Sequence, residues 1–374
     1  MKSYLAYQIM GPAFNCGVFF SEVSKITQDQ KYMQMAVNLA LLGKYDTWTN
    51  PLVGAVIVKN NQVIATGYHH KFGKEHAEIN ALSHLDQLSQ AKGATIYVSL
   101  EPCSHYGKTP PCARKLVEVG IKRVVVGQLD PNPLVAGKGI QILKQAGIEI
   151  TNLNCTQYIN QTYNFFYNNQ RPFITLKYAM SLDGKLNFQH GQRSILTGET
   201  VHDDSQRLRM DNQAILIGEH TLDVDDPLLT VRLKIMEFPP IKILLVNDVN
   251  QINMGLRIFS TAGSIWILSK TISKKKMPKN VRVFADDSWH VEQIIELMHD
   301  EGIQSLLVEG GSEVQARFMC SGIVDQIVSY VSGQVFGGTA LPVAKGAGMN
   351  KPLKMNIQQV AQLGPDVKIT ARRN

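Results

Sequence analysis

Apolar residues recur at helical spacing in KYMQMAVNLALLGK, Lys31 to Lys44, and the run stops at Gly43, which predicts an early helix. Strand-like patterning follows in LVGAVIVKNNQVIATGYH, which reads as two strands joined at Asn60–Asn61 in a hairpin. KEHAEINALSHL predicts a helix opening near Lys74, and ATIYVSLEPC a strand ending at Cys103. PPCARKLVEVG begins with proline and ends at Gly120, the asymmetry expected of a helix. RVVVGQLDPNP is a further strand and GIQILKQAG a further helix. Strands alternating with helices make this an α/β unit.

A second unit follows the polar-aromatic stretch TQYINQTYNFFYNNQ, which reads as a connecting helix. It opens with PFITLKYAMSLDGK, and strands are expected at AILIG, IKILLVND, SIWILS, VRVFA, SLLVEGG and DQIVSYVSG. The expected division is an extension over 1–28, one domain over 29–171 and another over 172–374. At 374 residues, two domains of about 150 are the ordinary expectation. The first 25 residues contain Gln8, Gly11, Pro12 and Asn15, which interrupt any signal-peptide core. They read as a poorly ordered extension.

Charge and cysteine usage narrow the classes. The formal net charge is +7, but lysines and arginines are spread along the chain. The one dense cluster, KTISKKKMPKN from Lys270, carries a proline and no aromatic residue, and so reads as a solvated loop and not a nucleic-acid face. A positive balance also suits small phosphorylated substrates. No run of 18 apolar residues exists, so no membrane span is expected. Five cysteines in so long a chain point to a reducing, cytoplasmic setting. Cys16, Cys155 and Cys320 read as ordinary thiols.

Cys103 and Cys112 stand apart, each after a proline in the loop-like stretch EPCSHYGKTPPC. Two such thiols suggest a disulfide or a metal, and the reducing setting favours the metal. HAEINAL upstream completes a ligand set. His-Ala-Glu followed by Pro-Cys and a second cysteine is the pattern of zinc deaminases that act on nucleobase-like rings. His76, Cys103 and Cys112 supply three donors and leave the fourth tetrahedral position to water, the arrangement of a catalytic zinc. Glu78, about 200° round a helix from His76, is free to shuttle protons. The plainer alternative is a structural zinc, with His105 or His69 as fourth ligand. Against it stand the eight-residue separation of the cysteines and the glutamate two after the histidine.

In the second unit, SLLVEGGSEVQARFM reads as strand, glycine turn and helix, with Gly310 and Gly311 freeing backbone N–H groups for a phosphate. A lone double glycine is more often only a tight turn. From these residues alone, nucleotide or phosphate binding is as far as the second unit can be read.

Taken together, NPLVGAVIV, HAEINAL, EPCSHYGKTPPC and DPNP resemble the RibD family, the bifunctional proteins of riboflavin biosynthesis. The resemblance runs from about residue 29 to the C-terminus. It implies an α/β protein with a cytidine-deaminase-like three-layer domain followed by a dihydrofolate-reductase-like domain. It implies zinc-dependent deamination of a pyrimidine carrying a ribosyl 5-phosphate, then reduction of the ribose by NADPH. One Zn2+ per chain and a dimer or tetramer are expected.

By position, the family implies substrate contacts from Asn50, His69, His105, Lys108, Asp130 and Asn132 in the first domain. In the second it implies them from Lys177, Arg193, Arg209, Leu229, Arg232 and Glu309. Met180, Ile195, Thr197, Thr221, Asp225 and the run Gly311, Ser312, Glu313, Val314, Gln315, Ala316 and Arg317 fall at cofactor positions. Arg209 and Arg232 suit a phosphate, and Lys177 is the candidate to polarise or protonate the hydride acceptor. Singly these residues have plain readings: Asn50 before Pro51 forms turns, Lys108 is a loop charge, and Arg209 lies on a solvated helix face. Two departures stand out. Ile195 occupies a position where many relatives have tryptophan, and Asp248 one where a small hydroxyl residue is common. A competing reading is a monofunctional zinc deaminase, of tRNA or DNA bases for instance, with a C-terminal ligand-binding module. A third is a structural zinc protein.

Overall fold

The computed structural model describes residues 26–104, 111–189, 191–192, 194–349 and 351–373. The expected N-terminal extension up to residue 25, together with His105, Lys108 and Arg193, lies outside the described residues.

The first helix, α1 (Gln28–Ala40), starts at a capping box between Thr27 and Gln30 and ends in a 3-10 turn at Leu41–Gly43. Strands β1 (Gly54–Lys59) and β2 (Gln62–Tyr68) pair antiparallel. Asn60 and Asn61, at φ 51° and 61°, provide the two left-handed residues that a tight hairpin needs. β3 (Thr95–Val98) runs antiparallel to β1, and β4 (Arg123–Val126) and β5 (Glu149–Asn152) continue parallel. The sheet order is β2-β1-β3-β4-β5.

Helix α1 covers one face with Tyr32, Met33 and Ala36 against Val56, Val58 and Tyr97. The other face carries α2 (Ala77–Ser83), α3 (Cys112–Glu118) and α4 (Lys138–Gln145), around a core that includes Ile57, Ile96, Leu116 and Leu143. Burying each of these four is worth about 1.5–3 kcal/mol. This is the three-layer arrangement expected of a cytidine-deaminase-like domain.

Helix α5 (Gln161–Asn169) leads into the second unit, whose central sheet has the order β10-β9-β8-β7-β11-β6-β12-β14-β13 among the described residues. The parallel part comprises β6 (Phe173–Met180), β7 (Ala214–Gly218), β8 (Ile241–Val246), β9 (Ile265–Ser269), β10 (Val281–Ala285), β11 (Ser305–Gly310) and β12 (Gln326–Val331). An antiparallel hairpin, β13 (Asn356–Leu363) and β14 (Asp366–Arg372), completes one edge. The strands β7, β8, β9 and β11 are buried almost throughout, as parallel strands covered on both faces must be. Helices α8 (Val291–Asp300) and α9 (Ser312–Ser321) pack on one face with Trp266, Ile294 and Phe318 in the core. A second apolar cluster under Leu222, Ile258 and Leu244 covers the other. Among the described residues no helix is long and apolar enough to cross a membrane.

Candidate active sites

Three elements bring the zinc candidates together. His76 is the N-cap of α2, Cys103 follows β3, and Cys112 is the first residue of α3 after Pro111. Gly67 on β2 makes this possible: a Cβ there would lie 2.3 Å from Ala81 N and 2.6 Å from Ala77 O, so only glycine lets α2 press onto the sheet. His76 Nδ1 lies 3.4 Å from Cys103 Sγ and 3.4 Å from Cys112 Sγ. Donors about 2.0–2.3 Å from a tetrahedral zinc should stand about 3.5 Å apart, so the set fits that ion. Among the described residues no fourth histidine, cysteine or carboxylate joins the group.

His69 is not that fourth ligand. Its Nδ1 lies 2.9 Å from Glu75 O and its Nε2 lies 3.0 Å from Asn50 Nδ2. A carbonyl can only accept, so Nδ1 carries the proton and Nε2 accepts from the Asn50 amide. Burial pushes this imidazole below its ordinary value, which keeps it neutral.

One expectation needs correction. Helix α2 opens three residues later than Lys74, and His76 sits outside it with extended backbone (φ −72°, ψ 160°). Glu78 therefore reaches the site from the first turn of α2, where its carboxyl meets the Cys112 thiol, and not from a helical rotation relative to His76. Glu78 is only 3 % exposed, and burial, with the Cys103 thiolate adding to it, raises its carboxyl to about 7. A carboxyl poised there can both accept and return a proton near neutrality. Hydrogen bonding from Cys112, with help from His76, brings the Cys103 thiol down to about 4 despite its burial. The centre thus carries a thiolate ready for a cation.

Asp130 and Asn132 stand on the loop after β4, and a buried residue missing from the sequence reading shapes that loop. Glu101 accepts hydrogen bonds from the backbone N–H groups of Asp130, Gly137 and Ile140. Asp130 accepts from Tyr163 Oη at 2.9 Å and from Asn132 N at 2.9 Å.

In the second unit the expected residues fall into two groups. Lys177 on β6 and Glu309 on β11 lie next to Arg209 of α6 (Glu199–Met210). Arg209 grips Glu309 with two hydrogen bonds of 2.7 Å, so its guanidinium faces a carboxylate and not open solvent. Burial alone would raise Glu309, but the charges of Arg209 and Lys177 hold it at about 2. Burial also lowers Lys177 below its ordinary value, opposed by Glu309. Arg232 is exposed and reaches His202 and, through its backbone N–H, Gln206, both on α6. Leu229 is 3 % exposed and packs in the core, so only its backbone can meet a ligand.

Part of the second group lines a cleft of about 600 Å3 at the carboxyl ends of the parallel strands, whereas Met180, Ile195, Thr197, Thr221 and Asp225 do not line it; ligands of open α/β sheets bind at such strand ends. Gly311, Ser312, Glu313, Val314 and Arg317 line it. Gly311 is the N-cap of α9, whose first N–H groups suit a phosphate. Thr221 on α7 (Glu219–Asp225) is beside it: a Cβ on Gly311 would lie 2.9 Å from Thr221 Oγ1. Asp225 ends the same helix. Gln315 and Ala316, 1 % and 5 % exposed, point into the protein. Met180 and Thr197 are half-buried, and Ile195 is 82 % exposed. Asn247 and Trp289 also line the cleft and escaped the sequence reading, and Lys270, read there as the start of a solvated loop, lines it too. Asn247 and Lys270 follow the ends of β8 and β9, and strand ends were the signal available. The Asp248 carboxylate is engaged by Asn250 N and the Thr271 hydroxyl, which together hold it at about 2.

A centre able to hold zinc beside a buried carboxyl, followed on one chain by a sheet with a phosphate-suited cleft, is the arrangement expected of a deaminase joined to a reductase. Residues 26–128 match the cytidine and deoxycytidylate deaminase zinc-binding region, and residues 172–369 match the RibD C-terminal domain. The chain is 38% identical to riboflavin biosynthesis protein RibD of Bacillus amyloliquefaciens, over 92% of this chain and 96% of that protein. A structure of Acinetobacter baumannii RibD is 34% identical and covers 94% of this chain and 100% of its own, with a TM-score of 0.83. A structure from Thermotoga maritima, a diaminohydroxyphosphoribosylaminopyrimidine deaminase/5-amino-6-(5-phosphoribosylamino)uracil reductase, is 31% identical. It covers 93% of this chain and 99% of its own, with a TM-score of 0.82.

The chain belongs to the RibD family. It is a bifunctional enzyme of riboflavin biosynthesis, a zinc-dependent deaminase and an NADPH-dependent reductase, and the monofunctional reading falls away because both halves match.

Proposed function

We propose that the deaminase half removes ammonia from 2,5-diamino-6-(5-phosphoribosylamino)pyrimidin-4(3H)-one at His76, Cys103 and Cys112, with Glu78 as proton carrier. When bound there, zinc supplies the Lewis-acid activation of water for attack on the amino-bearing ring carbon. Glu78 takes a proton as the C–O bond forms and delivers it to the departing amine as the C–N bond breaks. His69, Asn50, Asp130 and Asn132 orient the ring and its ribosyl group. The observation that carries this reading is the imidazole 3.4 Å from each of two thiols beside a buried carboxyl.

In the reductase half, NADPH bound in the cleft supplies the hydride. The N-terminus of α9 at Gly311 holds a cofactor phosphate, and Thr221 flanks it. Lys177 donates a proton to the acceptor on the ring-opened ribose, its burial favouring loss of that proton, and Glu309 fixes Arg209 beside it. Arg232, exposed against α6, meets the 5-phosphate. The domains divide at 171/172, supported by the separate sheets on either side. A homo-oligomer is supported by Ile357 and Val360, 65 % and 62 % exposed on the edge strand β13. A cytoplasmic setting is supported by the need to keep Cys103 and Cys112 reduced.

Metal analysis coupled to assays on the pyrimidine ribotide tests the reading. One zinc per chain, with ammonia released and NADPH consumed in equal amounts, is expected. Undiminished ammonia release from metal-free protein would overturn it.

A further inference from the structure

The segment between α1 and β1 holds Asn50, and the reductase half grips it from outside. Trp48, in the left-handed region at φ 53°, packs against the core of the nine-stranded sheet, its ring 5.5 Å from Phe238. Gln213 Nε2 donates to Trp48 O at 3.1 Å, and Gln304 Nε2 donates to Thr49 O at 2.9 Å. The two glutamines are locked together, because Gln213 Oε1 accepts from Gln304 N at 2.8 Å. On the far side, Asn160 clamps Leu52: its Nδ2 donates to Leu52 O at 2.9 Å and its Oδ1 accepts from Leu52 N at 2.8 Å. Three side-chain amides thus hold the backbone on both sides of Asn50. That residue in turn hydrogen-bonds His69, whose ring meets His76 edge-on at 5.6 Å.

We propose that Gln213 and Gln304 are positioning residues of the deaminase: the reductase half sets the pose of Asn50 toward the pyrimidine ribotide. The inference rests on Asn50 meeting that substrate. Other contacts also dock the two halves. The Trp48–Phe238 contact and the ion pairs Lys44–Asp211 (2.8 Å) and Lys234–Asp46 (3.1 Å) already join them. Gln304 is 5 % exposed, and a buried amide aimed at one carbonyl fixes geometry more than it adds contact area. The two glutamines stand away from the reductase cleft. Both glutamines immediately precede β7 and β11, at the amino ends of the strands, whereas the reductase cleft opens at Gly218 and Gly311, at the carboxyl ends.

The test uses the full-length double variant Gln213→Met/Gln304→Met, in which methionine fills a similar volume but cannot donate. Ammonia release from the pyrimidine ribotide, NADPH-dependent reduction of the deaminated product and zinc content are measured on one preparation. The deaminase KM should rise about tenfold, the factor one buried hydrogen bond is worth, with kcat, zinc and the reductase nearly unchanged. An Asn50→Ala control should raise the same KM. If Asn50→Ala raises it and the double variant does not, the positioning role is wrong. A parallel fall in both activities with a lower melting temperature would reduce the glutamines to structural supports and also overturn it. If Asn50→Ala itself leaves KM unchanged, the substrate role of Asn50 fails and the inference with it.

Discussion

The zinc centre takes its three donors from residues 76 to 112, and each is a side chain that coordination chemistry demands. The proposed reductase centre instead draws on residues from 177 to 317, carried on strands β6 and β11 and helices α6, α7 and α9. Much of it is position and backbone: a strand end, a helix N-terminus, a salt-bridged arginine. A metal restricts residue type, so its site leaves a motif. A dinucleotide cleft restricts shape, which many sequences can satisfy, so its site leaves little trace.

The contrast predicts separable losses in the first half. Cys103→Ser should remove zinc and cut ammonia release by roughly 10³-fold or more, because the activated water is lost with the metal. Metal analysis and an ammonia assay check this, and the reductase rate on supplied deaminated product should stay within about twofold. Loss of both activities would mean that the zinc centre also supports the second sheet.

In the second half, function and stability should be harder to separate. Glu309→Ala leaves Arg209 unpaired, and the side chains of this pair are 8 % and 14 % exposed. Breaking a buried pair by removing one partner costs about 3–5 kcal/mol, readable as an earlier urea-unfolding midpoint along with lost reductase turnover. The same pair predicts an acid limb. Glu309 is held at about 2 against an ordinary 4.5, so its contribution is complete above about pH 4.5. That contribution, up to about 3 kcal/mol, is lost as pH falls toward 2. Unfolding midpoints at pH 5 and pH 3 should differ less in Glu309→Gln than in the native chain; equal differences would remove the pair from the account. The smallest effect concerns Ile195, 82 % exposed where the resemblance puts tryptophan. Ile195→Trp should tighten NADPH binding roughly threefold to tenfold if an aromatic contact forms, measured by fluorescence titration; unchanged affinity would remove residue 195 from the cofactor site.

Particular residues show how much was legible. Strands β7, β8, β9 and β11 stood out because buried parallel strands read as nearly continuous apolar runs. The hairpin β13–β14 passed unseen. β13, NIQQVAQL, has five exposed residues at its start and no buried face to impose alternation. His76, Glu78, Cys103 and Cys112 could be read because their spacing encodes the chemistry. Glu101 could not, since a carboxylate that binds three backbone N–H groups has no motif. Gln213 and Gln304 were invisible for a related reason. Their partners Trp48 and Thr49 lie 165 and 255 residues away in the chain, and only the docking of the two halves brings them together.

The account depends most on one buried carboxyl beside the zinc donors. Glu78→Gln keeps the shape and removes the proton carrier, so the most direct measurement gives that variant the diaminopyrimidine ribotide and, separately, its deaminated product. The account predicts one zinc per chain, ammonia release at least about 10²-fold slower, and normal NADPH consumption on the deaminated product. Ammonia release at the native rate, with zinc in place, would contradict it.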